Sequence, residues 1–145
     1  MSASVLGVLE KRLRRAHALT PDLMSDVIMK ACTQPTHQAR VNQLIEAGAW
    51  TDATLAMVEL ELPSWNLRRL VREDGEWLCS LSKQPNLPVA LDDTADASHQ
   101  VLPLAILGAL LEARRQTEAM RETGSQAVPQ VQPTSGYAVC CANFT

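Results

Sequence analysis

Cys140 and Cys141 are the most chemically distinctive pair in the chain. Adjacent thiols on an accessible segment can bind a soft metal, close a strained disulfide or link to a partner. Prenylation is excluded by position, because that signal needs Cys fourth from the end and Cys141 is fifth. The plainer reading is an apolar tail that packs on its domain. Cys32 and Cys79 stand alone, and four cysteines at such irregular spacing do not make a secreted disulfide framework. Reduced thiols are expected.

A second grouping joins Trp65, Arg68, Arg69, Arg72 and Trp77, a mixture able to grip phosphates and stack bases, or to bind an acidic peptide. Strand alternation sets Arg68 and Arg72 on one face and Arg69 on the other unless the strand twists or bulges, and Glu73, Asp74 and Glu76 lie close enough to neutralise them. The formal net charge of −3 supplies no long-range attraction for nucleic acid or an anionic membrane. Thr36, His37, Gln38, Arg40 and Gln43, after Thr33-Gln34-Pro35, have the placement of a helix-turn-helix reading face, but only Arg40 carries a firm charge.

Metal binding needs His and Cys at ligand spacing, and Cys32 with His37 is the only close pair. His17 and His99 read as capping or surface residues, and Asp92, Asp93 and Asp96 as helix-start charges. The chain holds no Gly-rich phosphate loop and no nucleophile motif. No catalytic, cofactor or metal residue is therefore assigned, and no cofactor is expected.

The elements that must position these residues are mostly helical. Val5, Leu6, Leu9, Leu13 and Ala16 recur at helical spacing opposite Lys11, Arg12, Arg14 and Arg15. Thr20-Pro21-Asp22 starts a second helix that runs to about Cys32. Gln34-Pro35-Thr36 breaks it and offers a cap to a third, which ends near Gly48, and a fourth runs from a Thr51 cap to Pro63. The third and fourth are expected to form an antiparallel hairpin. Asp74-Gly75 supplies the turn of a β-hairpin over Trp65 to Leu81, which needs helices to pack against. Lys83 to Ser98, with Pro85 and Pro88, reads as a loop. Leu102, Leu104, Ile106, Leu107, Leu110 and Leu111 surround most of a last helix and mark it as buried and central, starting either at Pro103 or near Ser98.

The expected fold is mostly α (α+β): a small helical domain over residues 1–123 with one β-hairpin near 65–81 and a central apolar C-terminal helix. Residues 124–145 read as a flexible linker, with Pro129 and Pro133, and an apolar tail holding Tyr137 and Phe144. One Phe and one Tyr leave the core to Leu, Val, Ile, Ala and Met, which suits helix packing. The longest apolar stretch, Val101 to Leu111, is about half a bilayer span, and the N-terminal residues carry no secretory h-region, so a cytoplasmic setting without membrane insertion is expected.

Leu44-Ile45-Glu46-Ala47-Gly48-Ala49-Trp50-Thr51-Asp52-Ala53 resembles the turn between the two helices of a tetratricopeptide-type repeat, with no second copy at a spacing of about 34 residues. The resemblance implies close helix packing around Trp50, as a core or rim anchor or as part of a protein-binding groove. Ala31 to Arg40, the Trp65 to Ser82 hairpin and the Pro133 to Cys141 tail together resemble a group of small uncharacterised proteins of soil alpha-proteobacteria. That likeness implies a bacterial cytosolic setting and carries over no activity and no functional residue. The chain is accordingly read as a protein-interaction or regulatory module, engaging a protein partner or itself, with Trp50, Trp65, Arg68, Arg72, Trp77, Tyr137 and Phe144 as candidate interaction residues. The alternatives are a small enzyme or thiol redox protein using Cys140 and Cys141, and a weak nucleic-acid-binding regulator.

Overall fold

A computed structural model describes residues 3–88 and 91–127, the side chains of residues 3, 4 and 121–127 excepted. Five helices and three strands follow in the order α1 (Ala3–Arg15), α2 (Pro21–Ala31), α3 (Pro35–Glu46), α4 (Trp50–Glu61), β1 (Asn66–Glu73), β2 (Glu76–Ser82), β3 (Thr94–His99) and α5 (Leu102–Ala127). The fold class is α+β, as the patterning predicts. Among the described residues the chain divides after Arg115 into two units.

Local chemistry explains most helix ends. In α1 the buried Leu6, Leu9 and Leu13 form the core stripe, while Arg12, Arg14 and Arg15 crowd the last turn, where cations suit the negative end of the helix dipole. The Thr20 hydroxyl accepts the N–H of Leu23 at 3.2 Å, with Pro21 in the first turn of α2. Two expected caps are displaced. Helix α3 starts at Pro35 after Gln34, so Thr36 lies inside its first turn, and α4 starts at Trp50, so Thr51 lies inside that one; neither helix has a side-chain cap. The proline ring supplies the starting φ for α3.

The turn into α4 explains its early start. Gly48, at φ 79°, donates to the Ile45 carbonyl at 2.9 Å, and Ala49 donates to Leu44 at 2.9 Å. These two bonds make a Schellman motif, whose left-handed position favours glycine. They turn the chain sharply enough for Trp50 to begin the next helix at once.

Asp74 (φ 54°) and Gly75 (φ 81°) form the two-residue hairpin turn, both central residues left-handed as its geometry requires. The hairpin becomes a three-stranded antiparallel sheet in the order β1-β2-β3, because Thr94–His99 pairs with Trp77–Ser82. This corrects the reading of Lys83 to Ser98 as loop throughout. Small inward residues, Ala95 and Ala97, alternate with Thr94, Asp96 and Ser98, and register with the buried Leu81 and Cys79.

Helix α5 begins at Leu102, which puts Pro103 in the first turn, where its missing N–H costs no internal bond. Its helical backbone reaches Ala127, past the domain end expected at residue 123. Leu104 to Leu107 and Ala109 to Leu111 are buried, as expected of a central helix. They join one core with Leu6, Leu9, Val27, Met57, Cys79, Leu81 and Ala95. Among the described residues no helix is long and apolar enough to cross a membrane.

Candidate functional site

The residues singled out in the hairpin are each engaged separately. Trp65 is buried, with the Lys83 ammonium 5.3 Å from its ring centroid. Trp77 packs half-buried against the core, and the Arg72 guanidinium lies 6.0 Å from its centroid. A bulge between Leu67 and Arg69 frees Arg68 from the ladder; Arg69 pairs with Ser80 and Arg72 with Trp77, positions that face opposite ways. No three-arginine patch forms.

Arg68 instead turns inward. It donates to the Asp92 carboxylate at 2.6 Å and to the carbonyls of Pro85 and Leu87 at 3.0 Å each. Ser82 donates to the same Asp92 oxygen at 2.6 Å. Asp92, only 1% exposed, is thus the buried anchor of the β2–β3 connection and not a helix-start charge. Asp96 sits on β3, where its oxygens accept from the Ser80 and Thr94 hydroxyls.

Trp50 is half-exposed beside Met24, Ile28, Met29 and Ile45, at the edge of a hollow of about 180 Å³ between α2 and α3. Met29 is 70% exposed. Tyr137, Phe144, Cys140 and Cys141 lie outside the described residues. The described thiols, Cys32 and Cys79, are free and buried. Burial first, and then the Glu61 or Asp96 carboxylate, pushes each up to about 12, which keeps them as inert thiols.

His37 is no partner for Cys32 in a metal site. Its Nδ1 lies 2.6 Å from Glu61, whose side chain is 3% exposed. The same carboxylate accepts from the Thr33 hydroxyl at 3.3 Å and from Arg114 at 3.4 Å, and Arg114 also donates to the Ala31 carbonyl at 3.0 Å. Glu61 thereby ties the ends of α2 and α4 to α3 and α5.

A further concavity, lined by acidic, basic and imidazole side chains, was not evident from the sequence. It is a cleft of about 300 Å³ between α1, β3 and α5. Glu10, Leu13 and Arg14 form one wall, spaced to share a helix face; Leu104, Gly108 and Glu112 of α5, likewise spaced, form another. The third is Asp96, Ala97, Ser98 and His99, four consecutive residues of β3. Successive strand side chains point to opposite faces, so a hollow touched by all four meets the β3 backbone as well as its side chains, at the margin of the strand. β3 is one of the sheet's two edge strands, β1 being the other, and no described strand pairs with its free edge.

Charge varies along this cleft. Burial raises the Glu10 carboxyl, Arg115 opposes the shift, and Glu112 reinforces it. Arg115 bridges the two acids, with Nε 3.5 Å from Glu10 and an Nη2 bond to Glu112. At the other end, His99 Nδ1 accepts the Val101 N–H at 2.9 Å at the entry to α5; this is a capping role, and it fixes the neutral ring's proton on Nε2.

Past His99 the cleft opens into a hollow of about 380 Å³ that also includes Arg14, Arg15, His17 and Glu76. Arg15, Ala16 and His17 are shared in turn with a wider hollow of about 510 Å³ at the start of α2. These neighbouring hollows, joined by shared lining residues, make up a furrow beside β3 and the end of α1. Among the described residues no group of His, Cys, Asp and Glu is arranged to hold a metal ion. Two sequence signals bear on the furrow: the basic run ending α1, and a lone glycine, Gly108, in an otherwise apolar helix. Set against protein families, curated proteins and solved structures, the chain matches none.

Proposed function

We propose that the chain is a protein-interaction module that takes an extended segment of a partner polypeptide along the outer edge of β3. The observation that supports this reading is the placement of four consecutive residues of an outermost strand in a cleft walled by two helices. Unpaired strand edges recruit extended chains through main-chain hydrogen bonds, and flanking pockets select side chains. Ala97 and the small Gly108, each partly exposed, supply apolar surface, and Arg14, His99 and Glu112 supply polar groups for orientation. A cytosolic setting belongs to the same proposal, since a reducing compartment suits the unpaired thiols of Cys32 and Cys79.

Selection from a random displayed-peptide library on the full chain, followed by amide exchange on the selected complex, tests this. Protection confined to amides near 96–99 is the expected result. Selected peptides that instead protect the Trp50 hollow, or a library that yields none, would remove the proposal.

A further inference from the structure

The furrow is electrically polar along its α1 wall, which passes from Glu10 to Arg14 and Arg15. The β3 wall runs beside it from Asp96 to His99, whose Nδ1 accepts the Val101 N–H. At the starting end the carboxylates of Glu10 and Glu112 share the guanidinium of Arg115, with Arg14 one turn further along α1, while the Asp96 carboxylate accepts from the Ser80 and Thr94 hydroxyls. At the far end two guanidiniums, Arg14 and Arg15, face the single carboxylate of Glu76, with His17 and His99 beside them. Neither Arg14 nor Arg15 is held in a direct ion pair among the described residues, so both are available to a ligand.

From this juxtaposition we infer that the partner segment carries an acidic residue before its apolar stretch and a basic residue after it, and lies antiparallel to β3. The inference rests on the edge-strand reading above and adds the partner's chemistry and direction. A segment with acid first puts its N-terminal end at Arg14, Arg15 and His99 and its C-terminal end at Glu10 and Glu112, which is opposite to the direction of β3. The reversed charge order satisfies the same contacts only in a parallel arrangement, which is the weaker pairing per residue and shifts the hydrogen-bond register. In the wrong direction like charges meet at both ends, and like-charge juxtaposition is what interfaces use to reject partners. Between the ends, alternate side chains face the partly exposed Ala97 and Gly108.

Two end-capped peptides of about nine residues, long enough to span the furrow when extended, provide the test. One has two Glu, then alternating Val and Thr, then two Lys; the other has the same residues in reverse order. Binding to the full chain is measured by titration, and contact by amide exchange at 96–99. The acid-first peptide is expected to bind at least about tenfold tighter, to protect those amides, and to lose its advantage in about 1 M salt. In the double variant Arg14→Glu, Arg15→Glu, both exposed positions on α1, that preference is expected to vanish or reverse. Equal binding with protection at 96–99 overturns the polarity and leaves the edge reading standing, as does tighter binding of the reversed peptide. If neither peptide protects 96–99, the edge reading and the polarity fail together.

Discussion

Gly108 of α5 faces Ala97 of β3 so closely that a Cβ built on the glycine falls 2.9 Å from the Ala97 Cβ. The missing side chain lets the central helix lie directly on this edge strand, and both residues line the cleft. Gly108→Ala gains helix propensity, worth about 1 kcal/mol in an exposed helix, but forces backbone-borne atoms apart in a packed core, which costs about 1–3 kcal/mol. We expect net destabilisation of about 1 kcal/mol by chemical denaturation. Ala97→Gly with Gly108→Ala should recover part of it, because the clash needs both Cβ atoms. A Gly108→Ala variant as stable as the parent would show that the helix and strand separate freely.

Four helices meet at Glu61, a nearly buried carboxylate with His37, Thr33 and Arg114 as partners. Removing one member of a buried ionic group strands the others, at a cost of about 3–5 kcal/mol where the pair is fully buried. Arg114 is 13% exposed and keeps the Ala31 carbonyl, so we expect about 2–3 kcal/mol for Glu61→Ala. A double-mutant cycle with Arg114→Ala should show clear coupling, and additive losses would remove the hub.

Much of this architecture is legible in the residues themselves. Leu6, Leu9 and Leu13 announce α1, Thr20-Pro21 the start of α2, and Asp74-Gly75 the hairpin turn, since each acts over a few neighbours. β3 is not, because Ala, Asp, Ser and His have little intrinsic strand preference. Thr94–His99 is extended through its pairing with β2 and the cover that Gly108 permits. Asp92 fails as a helix-start charge for the same reason: its partners, Arg68 and Ser82, come from other strands. The furrow joins residues 10–17, 76, 96–100 and 104–112, and no local spacing rule links them.

The two described thiols give a chemical check on burial. Their values near 12 mean almost no thiolate at pH 8, and thiolate is the reactive form. Cys32 and Cys79 should therefore resist a thiol reagent in the folded protein and react at once in denaturant. Cys140→Ser and Cys141→Ser in the same background remove any signal from the other two. Prompt labelling of the native double variant would place Cys32 or Cys79 at the surface.

Glu10 supplies the pH dependence. Its carboxyl is raised in the folded state chiefly by burial, so folding favours the protonated form. The stabilising contribution of a raised acid is fully present below the unfolded value, near 4.5, and is lost as pH rises through the folded value. At neutral pH the folded protein bears a charged, partly desolvated Glu10 that Arg115 offsets only in part. Glu10→Gln keeps the shape without the charge. It should be more stable than the parent at pH 7, and that advantage should shrink as pH falls through the folded value and disappear below about 4.5. Denaturation midpoints of parent and variant across pH 4 to 8 measure it. A constant difference across that range would mean that Glu10 is as well solvated in the folded chain as in the unfolded one, and that the cleft between α1 and α5 is not the desolvated wall its geometry makes it.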